Sequence, residues 1–147
     1  MISINLSLRK AYFAALSTIE YLSIPVPVYW SQIPTTIAPG IYISFGQIRN
    51  VDISNKTNSM TQTSVTVSVY TNNLKYNDGV AVEVVANEVL NRILKVPNFN
   101  IALAESFFQI VSTTLQSDFA NDFTEDKQNV YMDRILIFQH RIFQNVS

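Results

Sequence analysis

Residues 62–71 read QTSVTVSVYT, which is the clearest strand pattern in the chain. One side of it carries Thr63, Val65, Val67, Val69 and Thr71, and the other side carries Gln62, Ser64, Thr66, Ser68 and Tyr70. A period of two with β-branched residues on one side is typical of a half-buried β-strand. The sequence therefore predicts a sheet with one face in the core.

The segment before this strand repeats the pattern. Ile41, Ile43 and Phe45 alternate with more polar residues, and Val51 and Ile53 continue in the same phase. A polar turn at residues 55–58 separates the two runs. Residues 40–71 are therefore predicted to form a long antiparallel hairpin with a polar tip. Residues 26–30 precede it as an extended segment, and Pro27 makes that segment an edge strand or a lead-in rather than a central strand.

Two helices are predicted on either side of the hairpin. Apolar residues at helical spacing define a helix over residues 6–22, and Pro25 ends it because the residue before a proline leaves the helical region. A second helix is expected over residues 79–95, with Asp78 as its N-cap. Its stripe of valines forms helices poorly, so this helix depends on packing against the sheet.

Two further strands are predicted at residues 105–117 and 128–145. Apolar residues occur on both faces of the last one, which indicates a central strand or one covered by a partner. Together these elements define an α+β fold, a two-layer sandwich of a mainly antiparallel twisted sheet with two helices packed on one face. Residues 1–147 are expected to form a single domain.

The composition argues against several classes of function. Ten basic and eleven acidic residues leave a net charge of −1, which provides no field to hold nucleic acid, and there is no cysteine for thiolate chemistry. No apolar run approaches the roughly 18 residues that cross a bilayer, so no membrane association is expected. Only 14% of the residues are charged. This fits either a surface that is desolvated at interfaces or a bias of an AT-rich genome.

No catalytic, cofactor or metal site is predicted, and the protein is not expected to be an enzyme. His140 is the only histidine, and it is predicted to occupy a surface or interface position of the last strand. Asp118, Asp122, Glu125 and Asp126 form the densest carboxylate cluster, but the alternating ligands and turn glycine of a calcium loop are missing.

The candidate site residues are therefore interface residues. Phe119 and Phe123 lie in an acidic loop expected at residues 117–128, and their spacing would bring them together on a short helical turn. They either fold back onto the domain or anchor in a neighbour, and the second is the working hypothesis. The other candidates are Asn55, Lys56 and Asn58 at the hairpin tip and Ile135 and Ile137 on the last strand.

The order of elements resembles the tail-terminator, or tail-completion, proteins of tailed bacteriophages. The resemblance covers most of the chain and runs through Val26-Pro27-Val28-Tyr29-Trp30, Pro39-Gly40, the strands at 41–46 and 65–71, the helix from Gly79, and the closing strand at 134–141. It departs from that family in the length of the amide-rich hairpin at 50–62.

This resemblance implies a structural subunit of the virion, made in the host cytoplasm and built into the neck or tail. It implies a homo-oligomeric ring that joins the portal or connector to the tail, without cofactor and with DNA passing through the lumen without specific binding. The alternatives are a tail-tube or other tail ring subunit, and a small cytosolic α+β enzyme or ligand-binding domain.

Overall fold

The computed structural model describes residues 3–30, 40–71, 80–94, 103, 105, 107–124 and 130–145. Within them lie two helices, α1 (Asn5–Leu16) and α2 (Val80–Ile93). The strands, in chain order, are β1 (Glu20–Tyr21), β2 (Ile24–Pro25), β3 (Val28–Trp30), β4 (Ile41–Asp52), β5 (Ser59–Thr71), β6 (Phe108–Thr124) and β7 (Val130–Gln144).

The main sheet has the strand order β3-β4-β5-β7-β6. Strand β3 pairs with β4 in parallel, and every other pair in this sheet is antiparallel. Strands β1 and β2 form a separate two-stranded ribbon. The predicted α+β architecture is confirmed, as are the edge position of residues 28–30 and the central position of the last strand.

Both helices pack on one face of this sheet, here called the helix face. The ring of Tyr12 from α1 stacks on Phe45 with 6.0 Å between centroids, and α2 contacts β5 and β7. The fully buried side chains of the helix face include Ile43, Phe45, Val65, Val67 and Phe138. The opposite side, the outer face, carries Ser44, Thr66, Ser68, Ile135 and Ile137, because successive side chains of a strand alternate between faces.

The first helix is shorter than predicted. It ends at Leu16 rather than near residue 22, and the chain then folds into the β1–β2 hairpin. The turn of this hairpin is Leu22-Ser23, with φ of 51° and 65°. Ile19 and Val26 on either side are buried, and the amide of Val26 donates to the carbonyl of Ile19 at 2.9 Å. The apolar spacing used to extend the helix belongs to this hairpin instead.

A β-bulge corrects the predicted phase of the long hairpin. Pairing shifts between Gly46 and Arg49, and Gln47 has a φ of 45°. The extra residue moves Ile48 to the core and turns Val51 to the outer face, where it is 46% exposed. The prediction that Val51 shares the face of Ile41 is therefore wrong, although the strands and the polar turn are as expected.

The acidic loop is also corrected. Strand β6 continues to Thr124, so residues 117–124 form an extended strand and the predicted helical turn for Phe119 and Phe123 does not exist. Its register shifts at Ile110/Ser112 and Leu115/Ser117. Bulges of this kind are common on edge strands.

The second helix follows the predicted pattern. Its buried residues are Ala81, Val82, Val85, Ala86, Val89 and Ile93. Glu88 and Arg92 form an ion pair on its exposed side, with 2.9 Å between Oε1 and Nε. Asp78, proposed as the N-cap, lies outside the described residues. In the described part of the chain, no helix has the length and hydropathy to span a membrane.

Candidate functional site

The candidate interface residues separate into two groups at different places on the sheet. Phe119, Ile135 and Ile137 share the outer face, while Asn55, Lys56 and Asn58 form the tip between β4 and β5. The pairing of Ser59 with Gln144 and of Thr66 with Ile137 places the tip about seven residues along the sheet from Ile137. That separation is roughly 24 Å at the rise of an antiparallel strand.

The first group lines a groove on the outer face. Phe119 pairs with Ile135 across β6 and β7, and Ile135 pairs with Ser68 of β5. The outer-face groove measures about 440 Å³ and is lined by Ser44, Gly46, Gln47, Thr66, Ser68, Phe119, Ile135 and Ile137. Every lining residue is uncharged, and Phe119 is 43% exposed. An apolar group with a few hydrogen-bonding atoms is the kind of occupant that such a surface suits.

The second group has a structural role in its own turn. The Oδ1 atom of Asn55 accepts hydrogen bonds from the amides of Thr57 and Asn58, at 2.9 and 2.8 Å, and from the hydroxyl of Thr57. Asn55 therefore holds the shape of the tip. Lys56 and Asn58 are exposed on that tip. A shallow depression beside them is also lined by Phe143 and Asn145.

Of the four carboxylates in the acidic cluster, Asp118 is the one whose side chain the structure describes. Asp118 makes a two-pronged pair with Arg134, at 2.7 Å to Nε and 2.6 Å to Nη2, and Arg134 also bonds Glu83 of α2. The hydrogen bond from Arg134 lowers the pKa of Asp118 below its ordinary value. Asp118 therefore ties β6 to β7. Glu125, Asp126 and the side chains of Asp122 and Phe123 lie outside what the structure describes.

His140 lies in the core and not at the surface or an interface. Its side chain is fully buried, with Nε2 2.5 Å from the hydroxyl of Tyr12 and Nδ1 2.7 Å from Oγ1 of Thr113. Burial lowers its pKa to about 4, so the ring is neutral at pH 7. A neutral imidazole has one N–H donor and one acceptor nitrogen, and the two hydroxyls satisfy both. Its role here is to join α1 to β6 and β7.

Sequence reasoning missed an aromatic cluster at one end of the outer face. Tyr29 and Tyr70 pack edge-on against Tyr42, with centroids 6.3 and 5.5 Å from it. Burial raises the pKa of Tyr70 to about 12. Among the residues that the structure describes, the buried hydroxyl of Tyr70 and the buried Oδ1 of Asp133 have no hydrogen-bond partner. Tyr29, Tyr42 and Tyr70 lie on three different strands, so no local sequence pattern predicted that they would meet.

The β1–β2 hairpin was also missed. Leu22 is 72% exposed and Ile24 is 59% exposed, the highest values among the large apolar side chains described.

The described residues contain no group of three or more His, Cys, Asp or Glu side chains placed to hold a metal ion.

Known proteins match this chain in structure and not in sequence. No family model matches the chain, and no curated protein resembles it in sequence. Among solved structures, a chain of the virion of the native gene transfer agent (GTA) particle matches with a TM-score of 0.74 and 18% sequence identity. The match covers 97% of this chain and 99% of that chain. The two chains share one fold over essentially their full lengths.

Proposed function

We propose that this protein is a structural subunit of a bacteriophage-like virion. The observation that carries the proposal is the end-to-end match with a virion chain, at a TM-score of 0.74 and with almost nothing left over in either chain. A fold alone does not define a function. The surface of this chain adds support, because its candidate residues line an uncharged groove or lie on an exposed hairpin tip.

The finer proposal is a ring-forming neck or tail protein of the tail-terminator or tail-completion type, which joins the portal or connector to the tail. Strand β6 supports it. This strand is 17 residues long and lies at the edge of the sheet, and Val111, Leu115 and Phe119 along it are 51%, 36% and 43% exposed. A long edge with exposed apolar residues favours association with another chain.

The distinct character of the two layers supports the proposed ring. The outer face carries the uncharged groove, and the helix layer on the other side carries different groups. Contacts between unlike surfaces repeat head to tail and close into a ring when the rotation permits. In this proposal the partners are other copies of the chain and the neighbouring portal, adaptor and tail proteins. DNA passes through the lumen without specific contacts.

The proposal includes a virion location after synthesis in the host cytoplasm, and no enzymatic activity. The buried position of His140, with both ring nitrogens bonded inside the core, supports the non-enzymatic proposal. A tail-tube subunit is the alternative, because a tube is also made of rings.

Sedimentation of the purified protein, followed by negative-stain electron microscopy, tests the ring. A terminator-like subunit is expected to give single closed rings, because it ends a tube and must not stack on itself. A tube subunit is expected to give stacks of rings with no fixed length. A monomer at high concentration, together with a monomer in assembled particles, would reject the ring.

A further inference from the structure

The β1–β2 hairpin holds two apolar side chains away from the molecule. Leu22 and Ile24 are 72% and 59% exposed, while Ile19 and Val26 at the base of the same hairpin are buried. The hairpin is therefore fixed to the core at its base and presents an apolar tip. Tyr21 lies between the base and the tip of the hairpin and packs against the core, so the tip has little freedom to fold back.

The turn at this tip is unfavourable for an isolated subunit. Its central residues, Leu22 and Ser23, have φ of 51° and 65°, in the left-handed region that two-residue hairpin turns require. Glycine or asparagine normally occupies such positions, and leucine in this conformation is strained. The isolated fold gains nothing from a strained leucine in water. A contact that buries Leu22 would account for both its strained backbone conformation and its exposed apolar side chain.

The outer-face groove matches this tip in chemistry. Phe119, Ile135 and Ile137 provide apolar surface, and the hydroxyls of Ser44, Thr66 and Ser68 line the opposite side. The central peptide of a two-residue turn has no partner in the hairpin ladder. Hydroxyls can pair with its amide and carbonyl while the apolar wall covers the side chains.

Charges next to the two surfaces are also complementary. Glu20 is exposed two residues before Leu22. Arg49 and Arg141 are exposed, and they lie on the outer face because they pair with Ser64 and Gln62 of β5. Arg49 lies beside the groove, because its partner Ser64 is two residues along β5 from Thr66 of the groove lining.

We propose that the hairpin tip formed by Leu22 and Ile24 inserts into the outer-face groove of the next copy of this chain. The proposal rests on the ring-forming function proposed above and names its contact. The hairpin contacts α2 on the helix side of the sheet, while the groove lies on the other side. One subunit therefore offers its tip to one neighbour and its groove to the other, which is a head-to-tail contact.

Crosslinking tests the contact directly, because the chain has no cysteine of its own. The double variant Leu22→Cys with Ile137→Cys carries one thiol at each end of the proposed contact. Treatment of its assembled form with a short bis-maleimide is expected to give a ladder of covalent oligomers on a denaturing gel. The matched control, Leu6→Cys with Ile137→Cys, uses a leucine of α1 that is 56% exposed and is expected to stay uncrosslinked. Intact rings with no ladder from the Leu22 pair, or equal ladders from both pairs, would overturn the proposal.

A substitution that suits the fold but not the contact provides a second test. Leu22→Asn places a residue that tolerates positive φ in the turn, so its melting temperature should not fall. Its self-association is expected to weaken about tenfold or more, because an apolar anchor is lost. Leu6→Asn is the control and should leave self-association unchanged. A Leu22→Asn protein that assembles as the natural chain does would contradict the contact.

Mixing variants tests the head-to-tail geometry. The Leu22→Asn subunit keeps its groove, and a subunit with Ile135→Thr and Ile137→Thr keeps its tip. Each alone is expected to be a monomer, and an equimolar mixture is expected to give heterodimers that cannot extend. A mixture that remains monomeric would refute the proposed contact. Failure of the ring proposal can be told apart from failure of this contact. Without a ring, the natural chain itself would be monomeric in solution and in particles.

Discussion

At the scale of single residues, two tyrosines on opposite sides of the sheet show that the free-energy cost of burying a hydroxyl depends on its hydrogen-bond partner. The hydroxyl of Tyr12 bonds His140 in the core, while the buried hydroxyl of Tyr70 has no hydrogen-bond partner in the described part of the chain. Removal of one partner of a buried hydrogen bond leaves the other atom unsatisfied, which costs free energy. Removal of an unpaired buried hydroxyl instead removes a desolvation cost that the folded protein already carries.

Replacement of Tyr12 with phenylalanine is therefore expected to destabilise the fold by about 1–3 kcal/mol, because Nε2 of His140 loses its partner. Tyr70→Phe is the matched control, and it should leave the free energy of unfolding unchanged or raise it slightly. Urea denaturation of both variants measures the difference. Equal losses in the two variants would contradict the assigned roles.

The buried His140 also predicts a pH dependence of stability. Its pKa falls from the ordinary value of 6.5 to about 4 on folding. Between these values the unfolded chain binds a proton that the folded chain does not, so stability falls as the pH drops from 6.5 to 4, by about 3 kcal/mol in total. Asp118, whose pKa is lowered, retains its contribution above its ordinary pKa of 3.8 and loses it only as the pH falls through its lower folded value.

Denaturation of His140→Gln over the same pH range tests this assignment. The amide keeps one donor and one acceptor for Tyr12 and Thr113 but does not titrate in this range. Its stability should vary less between pH 6.5 and 4 than that of the natural chain. An identical slope in both proteins would assign the pH dependence to other groups.

At the scale of elements, periodicity predicted the strands and the second helix, and it failed where one residue changed the phase. The bulge at Gly46–Arg49 moved Val51 to the outer face. The first helix was predicted to be too long because the turn at Leu22-Ser23 has no glycine, asparagine or proline to mark it. The sequence identified Phe119, Ile135 and Ile137, but their meeting in one groove depends on the β6–β7 register, which no local pattern encodes.

The bulge itself yields a testable expectation. Gln47 has a φ of 45°, which glycine adopts without strain, so Gln47→Gly is expected to stabilise the fold by up to about 1 kcal/mol. The control is Gln139→Gly in the regular part of β7, where glycine weakens a strand and should destabilise. Thermal unfolding of both variants checks the sign. A loss of stability in Gln47→Gly would contradict the strained conformation.

At the scale of the whole molecule, assembly should depend on the groove more than on the acids around it. Phe119→Ala with Phe123→Ala is expected to weaken self-association while the monomer remains folded, because Phe119 is an exposed wall of the groove. Asp118→Asn should chiefly lower the stability of the fold, since its carboxylate pairs with Arg134. Sedimentation and melting curves of each variant separate the two effects. Unchanged assembly in the phenylalanine variant would remove the groove from the interface.

The proposed place of the chain in a particle rests on the whole molecule. The fold match covers 99% of a virion chain, and the uncharged groove lies on one face of the sheet while the helices lie on the other. A density map of the assembled particle by cryo-electron microscopy tests this claim most directly. If the proposal is right, the map will show one closed ring of this chain around the tail axis, at the junction of tail and neck. A particle without the chain, or one in which it repeats along the whole tube, would contradict it.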